Sequence, residues 1–293
     1  MQKSVLTVDR FEIPYMVFGE GTHLLICVNG MQQTMPSWRS LVRCFTAQAS
    51  YRVALFDFPN QGRARCLRGD ARVDVVEQVH VLGAVADALS PDGPVALIGG
   101  SWGAIVAAAY AARRPGRVGR MVLGSFQVRP NARLREVARL GRSLVATGRS
   151  DELADLFMAA FGAHLPPERQ RSIVAQFAAL RPEQFQQMYE QAELLVNAES
   201  LQGVGDLRAI EAETLIVNGG ADPIVDAADA ETLDCIPGAE LCVVPDVGHF
   251  LHVERPGVLD TYAEFFHRDL AKTPIFQPHE GCEPDASATA CAP

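Results

Sequence analysis

Ser101, Asp222 and His249 are far apart in the chain, yet they have the residue types and the order that acyl transfer through a serine requires. A serine hydroxyl is a poor nucleophile near neutral pH. It needs an imidazole to take its proton and a carboxylate to hold that imidazole in the right tautomer. Ser101 stands in Gly99-Gly100-Ser101-Trp102-Gly103, a Gly-x-Ser-x-Gly sequence between the apolar run 94–98 and the Ala-rich stretch 102–113. A strand that turns this tightly into a helix lifts the serine clear, and the glycines remove side chains that would collide with neighbouring elements. The start of the helix also presents amide N–H groups where an oxyanion would form.

His249 lies in Asp246-Val247-Gly248-His249-Phe250, after the last strand-like run and before the final helix. The loop after the run 120–124, Ser125 to Arg129, offers no carboxylate. The loop Asn218-Gly219-Gly220-Ala221-Asp222-Pro223 does, and it places Asp222 where it can reach an imidazole from the next loop. Asp226 and Asp229 read instead as the start of a helix, where negative charge is favoured for structural reasons alone. A metal site on His249-x-x-His252 lacks a third ligand at suitable spacing, so neither a metal nor a cofactor is expected. The second oxyanion donor is expected from the loop Val28–Trp38: the N–H of Met31 would join that of Trp102, with Gly30 permitting a close turn. Asn29 reads equally as a turn residue or as a polar group fixing that loop.

These groups need a scaffold of alternating strands and helices. Short apolar, β-branched runs occur at 22–28, 51–57, 94–98, 120–124, 214–218 and 240–244, with helical periodicity at 73–89 and 102–113 between some of them. That rhythm implies an α/β fold, a mostly parallel, doubly wound sheet, with residues 1–18 as an antiparallel hairpin at its edge. Between Ser125 and about Ala212 the strands stop and helical stretches follow one another at 131–147, 150–162, 167–180 and 182–198. The expected organisation is a core in two parts, 1–124 and 213–270, an inserted helical cap at 125–212, and a disordered tail at 271–293. The apolar stripe of the insert, from Leu153 to Leu195, is expected mainly to pack cap against sheet and otherwise to line an acyl-chain pocket.

At 293 residues, 48% of them hydrophobic, the chain suits one domain with an insertion. It shows no leader pattern and no apolar run of membrane-spanning length, so a cytoplasmic location is expected. Its seven cysteines lack CxxC spacing and read as reduced packing residues. A net charge of −9 argues against nucleic-acid binding. The charge is uneven: residues 113–149 hold ten arginines and one acid, Glu136, which makes that segment +9 and the remainder −18. The segment reads either as a solvated helical face or as a docking site for an anionic carrier, with Arg133, Arg135 and Arg139 as its candidate contacts.

Several segments together resemble members of the α/β-hydrolase superfamily, in particular the 3-(3-hydroxyalkanoyloxy)alkanoate synthases of rhamnolipid biosynthesis and the 3-hydroxyacyl-carrier-protein:CoA transacylases. They are Val28-Asn29-Gly30 with Thr34, Ser37 and Trp38; Leu55-Phe56-Asp57-Phe58-Pro59 with Gly62 and Arg65; Ser101-Trp102-Gly103; Val217-Asn218-Gly219 with Asp222; and Gly248-His249-Phe250-Leu251 with Glu254. Gly162, Leu165 and Pro166 extend the similarity into the cap, and it covers roughly residues 22–268. Ala221-Asp222-Pro223-Ile224-Val225 stands where those families have Trp-Asp-Glu-Tyr-Thr, and Ser101-Trp102-Gly103-Ala104 where they have Ser-Trp-Gly-Gly. The resemblance implies an acyltransferase or thioesterase that accepts (3-hydroxy)acyl thioesters of acyl carrier protein or CoA and passes the acyl group to a hydroxyl, thiol or water. A carboxylesterase of small esters and a non-catalytic hydrolase-fold binding protein are the alternatives.

Overall fold

Leu24, Ile26 and Val28 alternate along one strand with Leu25 and Cys27, and all five are fully buried, so both faces of that strand are covered. The computed structural model, which describes residues 1–47, 50–69, 72–197 and 205–268, shows by what. The strand is β3 (His23–Val28), which follows the antiparallel hairpin of β1 (Gln2–Val8) and β2 (Phe11–Phe18). Its even-numbered residues pack with α2 (Val75–Leu89) and α3 (Trp102–Arg113), and its odd-numbered ones with α1 (Arg39–Thr46) and α10 (Val258–His267).

The other strands are β4 (Tyr51–Phe56), the two-residue β5 (Arg65–Cys66), β6 (Val95–Gly100), β7 (Val118–Gly124), β8 (Glu213–Gly219) and β9 (Glu240–Val244). They form one sheet in the order β1-β2-β4-β3-β6-β7-β8-β9, with β5 paired to β2. All pairings from β4 to β9 are parallel, whereas β2 runs antiparallel to both β1 and β4. The mostly parallel sheet with helices on both faces agrees with the expectation. The chain also forms α1, a 3-10 turn at Met35–Trp38 and β5, short elements that apolar periodicity did not reveal.

Among the described residues, four α-helices and a 3-10 turn at Leu207–Ala209 separate β7 from β8: the helices are α4 (Ala132–Ala146), α5 (Ser150–Phe161), α6 (Pro167–Ala178) and α7 (Pro182–Asn197). They enclose a small core of Val145, Leu153, Ala154, Phe177 and Met188, against which Met31 packs from the loop after β3. Short helices α8 (Ala230–Cys235) and α9 (Leu251–Glu254) follow β8 and β9. No helix among the described residues is long and apolar enough to cross a membrane. The five cysteines described, Cys27, Cys44, Cys66, Cys235 and Cys242, are free thiols. Cys282, Cys291 and the expected tail lie outside the described residues.

Candidate active site

Parallel strands deliver the site, because the loops that leave their C-terminal ends all converge at one edge of the sheet. β6 ends at Gly100 and α3 begins at Trp102, leaving Ser101 alone to make the turn with φ +54° and ψ −120°. A non-glycine residue in that region is strained, by about 1–3 kcal/mol, and persists only where its surroundings hold it. Here the Ser101 N–H donates to the Gly124 carbonyl at 2.8 Å. The flanking glycines have a steric cause: a Cβ on Gly103 would stand 2.1 Å from the Val28 carbonyl oxygen, and one on Gly99 2.5 Å from that of Gly103. Trp102 is the first residue of α3, so its N–H has no partner within the helix.

The loops after β8 and β9 are joined by backbone contacts. Gly220 N–H donates to Val244 and Ala221 N–H to Val247, each at 2.9 Å. A Cβ on Gly219 would lie 2.3 Å from the carbonyl oxygens of Val247 and Gly248. This close approach brings Asp222 Oδ2 to 2.7 Å from His249 Nδ1, with both side chains buried. The other carboxylate oxygen of Asp222 accepts the Ile224 N–H at 3.1 Å. Ser125, just past β7, donates its hydroxyl to the His249 carbonyl at 2.7 Å. Adjacent residues Gly124 and Ser125 therefore hold the backbones of Ser101 and His249 on the same strand end. Among the described residues Ser101 Oγ forms no hydrogen bond with the imidazole; such contacts are often long in unliganded sites and tighten with substrate.

The neighbouring acids serve other ends. Asp229 caps α8, accepting from Glu231 N–H and from the Thr232 hydroxyl, as expected of a helix start. Asp226 precedes α8 and accepts from Asn131 Nδ2 at 3.2 Å. Asp246 is exposed in a left-handed turn with φ +56°. His252 stacks on Trp38, with centroids 5.5 Å apart, and burial pushes its pKa down to about 4 against an opposing hydrogen bond with the Ser37 backbone.

The loop after β3 arches over the serine: a Cβ on Gly30 would come 3.0 Å from the Gly100 carbonyl oxygen and 3.8 Å from Ser101 Cβ. Asn29 is wholly buried, donating to Phe56 O at 2.9 Å and Asp57 Oδ1 at 3.2 Å while accepting from Trp38 Nε1 at 2.8 Å. Asp57 also accepts the Met35 N–H at 2.8 Å, and its burial raises its pKa against the lowering by these donors. Gln61 Nε2 donates to Gly30 O and Gln33 Oε1 accepts from Gly30 N–H, fixing the peptide groups beside Met31.

Residues that the motif reading left without a role crowd this centre. Glu254 accepts from the N–H of Gly248 at 2.6 Å and of Phe250 at 2.8 Å, the two residues flanking His249. Phe161 of α5 places its ring centroid 5.0 Å from that of His249, and His164 lies against Gly248. Gln32, buried with φ +53°, meets Gln176 and Gln184 of the helical insert. The glutamate sits six residues beyond Gly248, which a spacing search keyed to loop-closing carboxylates could have found; the glutamines carry no local signal. An apolar cavity of about 70 Å³ opens beside Met31 and Phe161, lined also by Val145, Leu153, Phe157 and Met188.

Most of the arginine-rich segment finds acids elsewhere in the chain. Arg114 and Arg117 pair with Asp87, the buried Arg120 with Glu213, Arg129 with Glu231 and Arg142 with Glu193. Arg133 pairs with Glu136, three residues along α4, and Arg135 donates to the carbonyls of Pro130 and Val196. Arg139 is exposed on α4.

Comparison with known proteins gives this geometry a lineage. Two proteins named (R)-3-hydroxydecanoyl-ACP:CoA transacylase are each 25% identical to it. The one from Pseudomonas putida aligns over 233 residues, 79% of this chain and 77% of that protein. The one from Pseudomonas aeruginosa aligns over 235 residues, 79% of this chain and 76% of that protein. Among solved structures, an alpha/beta hydrolase enzyme from a Medee basin deep-sea metagenome superposes with TM-score 0.76 at 19% identity, covering 90% of this chain and 97% of that one. A family model of the alpha/beta hydrolase fold matches residues 23–256, and the chain belongs to that family.

Proposed function

We propose that this protein is an acyltransferase that works through an acyl-enzyme on Ser101, taking a (3-hydroxy)acyl group from a thioester of acyl carrier protein or CoA. The observation that carries this reading is the buried 2.7 Å contact of His249 Nδ1 with Asp222 Oδ2, on a loop tied by Ser125 to the strand end that also anchors the strained Ser101. The carboxylate holds the proton on Nδ1, which leaves Nε2 free to accept the one from Ser101 Oγ. Oγ then attacks the thioester carbonyl, and the N–H groups of Trp102 and Met31 receive the oxyanion. Collapse breaks the carbon–sulfur bond, the thiolate takes the proton from His249, and an acyl ester remains on Ser101. A hydroxyl, thiol or water deprotonated by His249 then attacks that ester and regenerates the serine.

Thioester and hydroxyacyl specificity is supported by the names of the Pseudomonas relatives and by the apolar cavity reaching Met31 and Phe161, which suits an alkyl chain beside the reacting carbonyl. On this reading residues 125–212 form a cap over the site, inserted between two core segments, 1–124 and 213–270. Incubation with a 3-hydroxyacyl-CoA followed by intact-protein mass spectrometry should show one acyl adduct, absent in Ser101→Ala. Acylation by p-nitrophenyl esters but by no thioester would replace this reading with a simple esterase.

A further inference from the structure

Glycine inside a helix is destabilising relative to alanine, because it loses more backbone freedom on folding and brings no side chain to pack. Three of the described α-helices hold one, and two of these show a steric cause. A Cβ on Gly103 of α3 would stand 2.1 Å from the Val28 carbonyl oxygen, and one on Gly83 of α2 would be pressed to 3.3 Å from the Tyr110 ring. Gly141, in the interior of α4, has no such cause: a Cβ there would meet Leu153 Cδ1 at 3.7 Å and Leu156 Cδ2 at 3.8 Å, both ordinary contacts with the ends of side chains. Alanine would fit and would favour the helix. What the glycine leaves is open space, and that space belongs to the apolar cavity beside Met31.

The cavity lies among α4, α5 and α7, and no residue that lines it is polar or charged. Its walls also touch the reacting groups. Met31 follows Gly30, whose Cβ position is 3.8 Å from Ser101 Cβ, and the Phe161 ring centroid is 5.0 Å from that of His249. From Phe161 the wall recedes along α5. Phe157, one turn earlier, has its ring 6.1 Å from that of Phe250, the residue after His249. Leu156 and Leu153, which face Gly141, come further along, and at about 1.5 Å per residue Leu153 is about 12 Å from Phe161. One end of the cavity therefore lies at Ser101 and His249, and Gly141 lies more than a helical turn away from it.

An acyl group on Ser101 that enters beside Met31 and Phe161 extends its chain along α5, and its last carbons come level with Leu156 and Leu153. We infer that Gly141 sets the length of the acyl chain that the site accepts: the space left by its missing side chain receives the terminal carbons, and any side chain placed there shortens the chain that fits. This inference rests on the acyl-Ser101 reading of the site.

The test is a homologous series of straight-chain acyl groups, from acetyl to dodecanoyl, each supplied as its p-nitrophenyl ester and as its CoA thioester. Every methylene that loses its place should cost about fourfold in kcat/KM. Gly141→Leu should therefore move the preferred length to a shorter chain, with a loss of about tenfold or more at the length the unaltered protein prefers and acetyl turnover within about twofold. Gly141→Ala, which should melt no lower than the unaltered protein, should lose about fourfold at that same length. A preference for acetyl in the unaltered protein, or variants that keep its length profile or lose turnover equally at every length, overturns the inference. If the p-nitrophenyl esters show the expected shift and no CoA thioester acylates Ser101, the thioester reading fails while the role of Gly141 stands. If no member of the series acylates Ser101, both fall.

Discussion

Gln184 Nε2 donates to Gln32 Oε1 at 2.9 Å, and Gln32 Nε2 returns a longer bond, 3.4 Å, to the Gln184 carbonyl. Gln176 adds a 2.5 Å bond to the Gln32 carbonyl. The helical insert therefore holds the residue next to Met31, and the orientation of a proposed oxyanion N–H depends on two helices more than 140 residues away in sequence. Gln32→Gly removes the side-chain bonds but suits the left-handed backbone, φ +53°, so folding should be little affected. The expected result is a kcat lowered about tenfold with an unchanged melting temperature, read by steady-state kinetics and thermal unfolding.

Strain at Ser101 makes a stability prediction that activity cannot mimic. Ser101→Gly should melt at a higher temperature than Ser101→Ala, by the equivalent of about 1 kcal/mol, because only glycine tolerates φ +54° with ψ −120°. Both variants should lose several orders of magnitude of turnover, and adding His249→Ala should cost little more, since the groups act as a unit. Asp222→Asn should lose less than either. Full activity in Asp222→Asn would mean that another acid orients the imidazole.

Glu254 closes the loop that presents His249 through two N–H donors, and only a carboxylate offers both oxygens as acceptors. Glu254→Gln should therefore lower kcat about tenfold with a smaller change in KM, and should reduce the melting temperature by a few degrees. A KM effect with normal kcat would place the residue in substrate binding instead.

His252 sets a pH dependence of stability. Its folded-state pKa is pushed down to about 4 by burial, whereas an unfolded chain takes up that proton near pH 6.5. Between those values the unfolded state binds more protons, so this contribution is complete above about pH 6.5, falls as the pH drops and levels off below about pH 4. The swing is on the order of 3 kcal/mol. In His252→Phe, which keeps a ring against Trp38 and Tyr262, denaturant titrations should lose less stability across that window. An unaltered acid-side slope would show that other groups produce it.

Arg139, exposed on α4, is the sharpest probe of carrier docking, because Arg133 is engaged by Glu136 and Arg135 by backbone carbonyls. If this face steers an acidic carrier, Arg139→Glu should raise KM for the carrier-bound acyl group several-fold at low salt, with the difference fading toward 1 M salt, where the Debye length is about 3 Å. Turnover of a neutral p-nitrophenyl ester serves as the reference. An equal effect on both substrates would assign Arg139 to holding the insert in place.

Strand runs, helix periodicity and the Gly-x-Ser-x-Gly turn were legible in the sequence because each is a local property: which side chains alternate, where a chain must bend, which residues tolerate the bend. The helices of the insert begin and end within two residues of the periodicity that predicted them. The reading of Asp229 as the start of a helix was local too, and its side chain caps α8. What the tertiary structure decided involves partners distant in sequence. The +9 of residues 113–149 is a sequence-local charge, and five of its arginines meet Asp87, Glu193, Glu213 and Glu231 in space. The contacts of Gln32 with Gln176 and Gln184 arise only when the insert docks on the core. Hydrophobic periodicity specifies which face of an element is buried. Polar pairing depends on distance and angle to within tenths of an ångström, and those are set when the elements pack.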